Sequence, residues 1–359
     1  MRILFTGGGT MGSVAPLLAV AKELIDQGKS TPTKMSWIGT SSGPEREVIG
    51  RYRIPFLSIQ SGKFRRYFSW KNFSDPFLLM VGIVQAIKII RRVKPDVILG
   101  AGGYVQVPVM WAAWLMKKKI AILQLDITPS LANMLCISMS HVIFLSFDEQ
   151  VKYFPKKKSH VTGLPIRQEI TESKNCSDNK KRLLGLDPAL PTVLITGGGT
   201  GSEVLNNMLI TALHQLIKYY NIIHLTGKGK HVEVSDSILN SARYQQFAFL
   251  SDTLVDYLSA ADIVITRGGM ALPSECAFAK KPMIIIPIPD SHQEKNAAFF
   301  EKHGVALWRS QHTYSAKKMI SDIQSLLKPA TYSTMQNAQK QYIHHNGAIN
   351  IVRELQSII

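Results

Sequence analysis

Two stretches decide the fold: MRILFTGGGTMGSVAP at positions 1–16 and PTVLITGGGTGSEVLN at positions 191–206. Each runs a short apolar, β-favouring segment into three glycines and a threonine, and each continues as a helical pattern. A strand followed by a glycine-rich turn and a helix is the opening unit of a parallel α/β sheet. Its appearance twice predicts two such domains. A chain of 359 residues is also too long for one small core, and a prior of ~150 residues per domain agrees with that count.

Working outward from the first turn, Ile3–Phe5 reads as a strand, Thr6–Gly12 as the turn and Val14–Gln27 as a helix. Pro16 falls in the helix's first turn, where its missing N–H costs little, and Gly28 stops it. Strands at Met35–Gly39, Val97–Leu99 and Ile120–Leu125 alternate with helical stretches at Phe77–Val93 and Val107–Met116. A polar, lysine-rich and proline-punctuated segment, Glu172–Pro191, then interrupts the pattern. Beyond it, strands at Thr192–Thr196, Ile222–Thr226, Gln246–Phe249, Ile263–Thr266 and Met283–Pro287 resume the alternation. The expected organisation is a first domain over 1–170, a linker over 171–191 and a second domain over 192–340. A closing helix lies in 341–359, and the sequence leaves open whether it docks on the first domain. The fold class is α/β, with two doubly wound, Rossmann-like sheets.

Hydrophobic residues make up 45% of the chain, which supplies packed cores and argues against disorder. Cys136, Cys176 and Cys276 have no paired spacing, so free thiols in a reducing compartment are expected rather than a disulfide frame or a zinc site. The first apolar run reaches Gly7 too soon to be the core of a signal peptide. The net charge of +17 calls for a partner that tolerates a positive field. Nucleic acid is disfavoured, because the chain shows no recognition module and no aromatic stacking platform. An anionic membrane surface remains.

A glycine-rich turn lets the backbone approach an anion closely and aims free helix N–H groups at it, together with the positive end of the helix dipole. Tight packing of helix against strand is the competing reason for glycine there. The spacing is not the dinucleotide fingerprint, because the next strand ends in Trp37, Ile38 and Gly39 rather than in an acid. Nicotinamide chemistry is therefore disfavoured.

Six motifs occur in order: GGTMGSVAP (8–16), GAGGYVQVP (100–108), TGLPIR (162–167), TGGGTGSEVLN (196–206), ADIVITRGGMALPSE (261–275) and HQEKNA (292–297). Together they resemble the MurG family of glycosyltransferases, in glycosyltransferase family 28, nearly end to end. The resemblance implies a GT-B fold with a cleft between its two domains. It also implies an inverting transfer of N-acetylglucosamine from UDP-N-acetylglucosamine to undecaprenyl-pyrophosphoryl-muramyl-pentapeptide, a step of peptidoglycan synthesis and so of cell wall biogenesis, cell shape and division. Related acceptor lipids, or a non-catalytic UDP-sugar binder, are the alternatives.

On the donor side the resemblance places Gly199 and Thr200 of the second turn near the phosphates, with Asn206 nearby. It puts the backbone around Leu250 on uracil, Glu275 on the ribose hydroxyls and Gln293 on the sugar. Arg267, Gly269, Met270, Ala271, Leu272 and Ser274 surround Glu275 in one motif. A carboxylate that accepts from two neighbouring hydroxyls fixes orientation without doing chemistry. No Asp-x-Asp occurs, so transfer without a metal or other cofactor is expected. The leaving diphosphate would then rest on helix N–H groups and on Arg167, with Arg267 as a further candidate. A hinge salt bridge is the equal alternative for Arg167.

On the acceptor side Thr10, Met11, Gly12 and Tyr104 line the expected site, with the first turn directed towards the acceptor diphosphate. The family pattern carries a histidine where this chain has Ser13, and a serine hydroxyl has no useful basicity near neutral pH. The family's His-Glu-Gln-Asn reads Leu123, Gln124, Leu125, Asp126 here. Asp126 is accordingly the replacement candidate for the base, with a turn or cap aspartate as its equal alternative.

The segment KFRRYFSWKNFSDPFLLMVGIVQAIKIIRRVK (63–94) interleaves basic and aromatic residues, with Asp75 as its sole acid. Its apolar part, Phe77–Ile90, is shorter than the ~20 residues a membrane span needs. Helix 77–90 burying one face, with loop 62–73 on the lipid, predicts a peripheral protein on the cytoplasmic face of the membrane. Lys117–Lys119 and Lys156–Lys158 add charge to the same half. Oligomeric state is not legible.

Overall fold

The computed structural model describes the chain except positions 42, 44, 63–70, 173–177, 240, 251, 252, 344 and 345. Two compact units emerge, one comprising Met1–Gln168 with His345–Ile359 and the other Glu169–His344.

The first unit runs β1 (Ile3–Thr6), α1 (Met11–Asp26), β2 (Met35–Gly39), α2 (Glu45–Arg51), β3 (Phe56–Ser58), α3 (Lys71–Val93), β4 (Val97–Gly100), α4 (Gln106–Leu115), β5 (Lys119–Gln124), α5 (Leu131–Met134), β6 (Val142–Leu145) and β7 (Ser159–Val161). Its seven strands are parallel in the order β3-β2-β1-β4-β5-β6-β7. Runs such as ILFT are buried throughout, as a sheet with helices on both faces requires. The order reverses between β1 and β4, where Thr6 pairs with Gly100, so the loops that leave these two strands open side by side. A Cβ added to Gly103 would lie 2.9 Å from the Gly8 carbonyl oxygen.

The second unit repeats the plan. After α6 (Gln168–Glu172) and α7 (Asp178–Leu183) come β8 (Thr192–Thr196), α8 (Glu203–Leu216), β9 (Asn221–Leu225), α9 (Asp236–Leu239), β10 (Tyr244–Phe247), α10 (Leu254–Ala260), β11 (Ile263–Thr266), α11 (Ala271–Phe278), β12 (Met283–Ile285), α12 (His292–Lys302), β13 (Leu307–Trp308), α13 (Ala316–Leu326) and α14 (Pro329–Tyr342). The six strands order as β10-β9-β8-β11-β12-β13, again with a reversal, here between β8 and β11. The last helix, α15 (Gly347–Ser357), packs on α1 in the first unit. Asn346 caps it, accepting from the Ala348 N–H at 3.0 Å and the Ile166 N–H at 3.1 Å.

Local differences from the sequence reading are short-range. Helix α1 starts at Met11 rather than Val14, because Thr10 is the extended residue at its head and Gly12 falls in the first turn, where no intrahelical donor is yet required. Strands β3, β6, β7 and β13 were not expected; the two edge strands β3 and β7 have three residues each, too few for a period to show. Helix α7 forms inside the segment read as a linker. Of the loop 62–73 expected on the membrane, positions 63–70 lie outside the described residues, as does Cys176, while Lys71–Phe73 belong to α3, which starts at Lys71 rather than Phe77.

Candidate functional site

In the first unit, the turn after β1 and the turn after β4 share one corner. Gly9 has φ +83°, and a Cβ on it would stand 3.1 Å from Tyr104 Cε1, so Tyr104 covers the turn. Underneath lies Glu45, the first residue of α2, wholly buried. Its carboxylate accepts from the Gly9 N–H at 3.2 Å, the Thr40 N–H at 2.7 Å and Thr40 Oγ1 at 2.5 Å. A Cβ on Gly8 would come within 2.2 Å of Glu45 Oε1, which is why glycine stands there. Burial raises the Tyr104 pKa, against a hydrogen bond with Thr40 that lowers it and the Glu45 charge that raises it, so the phenol keeps its proton. Thr10 and Gly12 are exposed and Met11 is half-buried at the head of α1. Ser13, on the same first turn, is 7% exposed, and its hydroxyl has no hydrogen-bond partner among the described residues.

Asp126 follows β5 and is half-buried. Its main chain is held by a relay of buried amides that starts at the β4 turn. The Gly102 N–H donates to Gln106 Oε1 (2.5 Å), Gln106 Nε2 to Asn133 Oδ1 (2.8 Å), Asn133 Nδ2 to Gln124 Oε1 (2.7 Å) and Gln124 Nε2 to the Asp126 carbonyl (2.6 Å). Gln150 Nε2 donates to the same carbonyl at 2.9 Å. A satisfied network of this kind rigidifies what it holds. Leu123 faces the core with no exposure, so the position where the family has a histidine is closed to any ligand here. Cys136 nearby is inert, its thiol pushed up to about 12 by burial.

In the second unit the turn after β8 spans Gly197–Gly201, with Gly199 and Thr200 exposed. Gly201, at φ +68°, presses on the loop after β9: a Cβ there would lie 2.2 Å from the Thr226 carbonyl oxygen and 2.6 Å from Gly227 Cα. Behind the turn stands Arg267, from the loop after β11 and 9% exposed. Its Nη1 donates to the carbonyls of Ile286 (3.0 Å) and Pro287 (3.3 Å), and its Nη2 to Ser202 Oγ (2.6 Å). No carboxylate among the described residues pairs with it. Burial lowers its pKa, but a guanidinium stays charged. Lys230 Nζ donates to the Gly201 carbonyl at 3.3 Å, and Lys228 lies over the Phe249 ring, beside Leu250. Two nearly identical turns therefore have opposite charge behind them: a carboxylate in the first unit, a guanidinium in the second.

The remaining predicted residues gather along α11 and α12. Glu275 is buried in α11 at 4% exposure, next to Ser274, whose fully buried hydroxyl has no partner among the described residues. Met270 is buried ahead of them, and Gly269, Ala271 and Leu272 are half-buried. Gln293 Oε1 accepts from the N–H groups of Gly268 (3.2 Å) and Ile288 (3.1 Å), which leaves its NH₂ end as the part with hydrogen bonds to offer. Asn206 is buried, and its Nδ2 donates to the carbonyls of Thr226 (3.1 Å) and Lys230 (3.4 Å), so it braces the loop behind the turn. Its Oδ1 meets His224 Nε2 at 3.0 Å. Arg167 is half-buried at the end of the first unit.

Glu45, Ser202, His224 and Asn296 were not singled out from sequence. Asn296 Nδ2 donates to the Gly268 carbonyl at 3.0 Å, and its place inside HQEKNA was a signal. Ser202 carried an N-cap signal ahead of an apolar helix. Glu45 and His224 gave none, since nothing local announces a partner far away in the chain. Among the described residues no group of three or more His, Cys, Asp and Glu side chains could hold a metal ion.

Comparisons with known proteins agree with this fold. Residues 3–145 match the model of the glycosyltransferase family 28 N-terminal domain, and residues 192–351 that of the family 28 C-terminal domain. The chain is 37% identical to a UDP-N-acetylglucosamine–N-acetylmuramyl-(pentapeptide) pyrophosphoryl-undecaprenol N-acetylglucosamine transferase 2 of Bacillus cereus, over 90% of this chain and 91% of that one. It is 36% identical to the transferase of that name from Clostridium kluyveri, over 98% and 99% of the two chains. The crystal structure of Acinetobacter baumannii MurG superposes with a TM-score of 0.73 at 25% identity, covering 99% of each chain. A glycosyltransferase of kitacinnamycin shares the fold at a TM-score of 0.73 and 14% identity, over 99% of this chain and 98% of that one.

Proposed function

The chain belongs to glycosyltransferase family 28, and from that premise we propose that it moves N-acetylglucosamine from UDP-N-acetylglucosamine to undecaprenyl-pyrophosphoryl-muramyl-pentapeptide, giving the lipid-linked disaccharide of peptidoglycan synthesis. The observation that carries the donor half is the turn after β8, where a buried guanidinium without a carboxylate partner among the described residues stands at the positive end of α8. Both favour an anion in front of the turn. The equivalent place in the first unit has the Glu45 carboxylate behind it and so suits a diphosphate less well.

In the reaction the acceptor hydroxyl oxygen attacks the anomeric carbon, the bond from that carbon to the UDP oxygen breaks, and UDP leaves with the electron pair, inverting the centre. Asp126, its main chain held by Gln124 and Gln150, takes the hydroxyl proton. Arg267 and the N–H groups of the second turn stabilise the charge that develops on the diphosphate, with Arg167 as a further cation. Gln293 and Glu275 orient the sugar and the ribose, Asn206 steadies the turn, and Leu250 borders uracil. Thr10, Met11, Gly12, Ser13 and Tyr104 face the acceptor.

The first unit also offers a lipid-facing surface. Phe77, Met80 and Val84 on α3 and Trp114 and Leu115 on α4 are exposed, and the two helices pack together. Lys88, Arg91, Arg92, Lys94 and Lys117 are exposed on the same two helices and the turns that end them. No described helix is long and apolar enough to cross a membrane. Apolar residues beside basic ones suit attachment to the anionic inner leaflet, where the acceptor lipid resides.

Transfer of labelled sugar to the lipid acceptor in detergent micelles, without added divalent metal, tests the reading. Turnover by the wild type, with a loss of roughly 10²–10⁴-fold in Asp126→Asn, is expected. Absence of turnover in the wild type despite UDP-sugar binding would overturn the acceptor assignment, and full activity of Asp126→Asn the assignment of the base.

A further inference from the structure

Ser202 caps α8, and its hydroxyl oxygen accepts two hydrogen bonds, from the Leu205 N–H at 3.3 Å and from Arg267 Nη2 at 2.6 Å. A hydroxyl has two lone pairs and one proton. Both lone pairs are occupied, so the proton is all that remains to offer. No described residue accepts it, and at 5% exposure Ser202 has little contact with solvent. Its backbone closes the glycine turn: a Cβ on Gly197 would stand 2.3 Å from Ser202 N.

The donor on that oxygen is a cation. Arg267 is anchored on the Ile286 and Pro287 carbonyls, so it holds a fixed direction towards Ser202. A charged donor polarises the hydroxyl it bonds, and a polarised O–H is a stronger donor in turn. Glu203, the acidic residue of the first helical turn, is exposed and does not neutralise the arginine. Serine at this position thus does more than a cap requires, since aspartate or asparagine would cap equally well.

We propose that Ser202 is a diphosphate-binding residue of the donor site, giving its hydroxyl proton to a phosphate oxygen, and that Arg267 is the positioning residue that fixes and polarises it. This rests on the donor reading above. It assigns Arg267 an indirect role: the guanidinium acts through the serine, with both ends tied to the protein.

The test compares wild type with Ser202→Asp and Ser202→Asn in calorimetric binding of UDP, uridine and inorganic pyrophosphate, with a thermal melt for each. Aspartate keeps the cap and gives Arg267 a carboxylate, yet has no proton to offer; asparagine keeps the acceptor and restores a donor. Expected is a loss of roughly 10- to 100-fold in UDP and pyrophosphate affinity for Ser202→Asp, near-wild-type binding for Ser202→Asn, and unchanged uridine binding in both. The melting point of Ser202→Asp should hold or rise. Equal pyrophosphate binding by Ser202→Asp and wild type would overturn the proposal, as would a uridine loss in step with UDP, which marks a structural role. Pyrophosphate binding in the expected order without any UDP binding would support Ser202 and overturn only the nucleotide reading.

Discussion

His224 gives the second unit a pH dependence that can be worked from its contacts. The ring is wholly buried on β9, with Nε2 3.0 Å from Asn206 Oδ1 and Nδ1 3.0 Å from Tyr244 Oη. Because Asn206 points its NH₂ at two carbonyls, its oxygen faces the histidine and Nε2 carries the hydrogen; Nδ1 is left without a proton, beside a Tyr244 hydroxyl that donates to Gln246 Oε1 at 2.9 Å. Adding a proton there creates a buried charge with no carboxylate beside it among the described residues, and burial lowers the pKa from 6.5 to about 4. Between those two values the unfolded chain holds a proton that the fold does not, so stability rises with pH and falls as pH drops. The full difference is about 3 kcal/mol, at a slope of about 1.4 kcal/mol per pH unit. His224→Gln keeps a donor for Asn206 Oδ1 and cannot titrate. Urea denaturation of the two chains across this range, with hydrogen exchange of β8 and β9 peptides to isolate the second unit, gives the difference directly, since all other titrating groups cancel. A wild-type-minus-variant difference that stays flat from neutral pH to about pH 4 would refute the reasoning.

Three further outcomes are expected. Gly201→Ala places a methyl group 2.2 Å from a backbone oxygen at φ +68°, where nothing can give way, and should cost the second unit about 3 kcal/mol along with UDP binding; calorimetric melting resolves this, and an unchanged second transition would count against it. Gly8→Ala drives the Glu45 carboxylate from its pocket, so sugar transfer should fall at least ~10-fold while UDP affinity holds, as tested by kinetics and calorimetry on the same preparation. Replacing exposed Phe77 and Trp114 by lysine should weaken sedimentation with anionic vesicles by at least ~10-fold and leave the melting curve in place, because neither side chain is in the core; unchanged vesicle binding would remove α3 and α4 from the lipid surface.

Much of the architecture was legible in the sequence for a local reason. β-Branched apolar runs such as ILFT and TVLIT, each beside glycines, specify strand, turn and helix through neighbours in the chain, and the alternation that follows leaves a parallel sheet as the natural solution. The motifs around Glu275 and Gln293 were legible in the same way, since each is one short loop and the start of one helix. Short edge strands were not, because three residues of β3 or β7 carry no period. What surrounds each turn was also hidden. TGGGT reads alike at positions 6–10 and 196–200, yet tertiary packing brings a carboxylate from the start of α2 to the first and a guanidinium 65 residues downstream of Ser202 to the second. The amide relay beneath Asp126 likewise joins residues from the β4 turn, β5 and α5. Hydrogen bonds across such separations form once the sheet order has set which loops are neighbours. The sequence by itself determined two glycine turns, and the reversal of strand order in each sheet decided the charge that each would present.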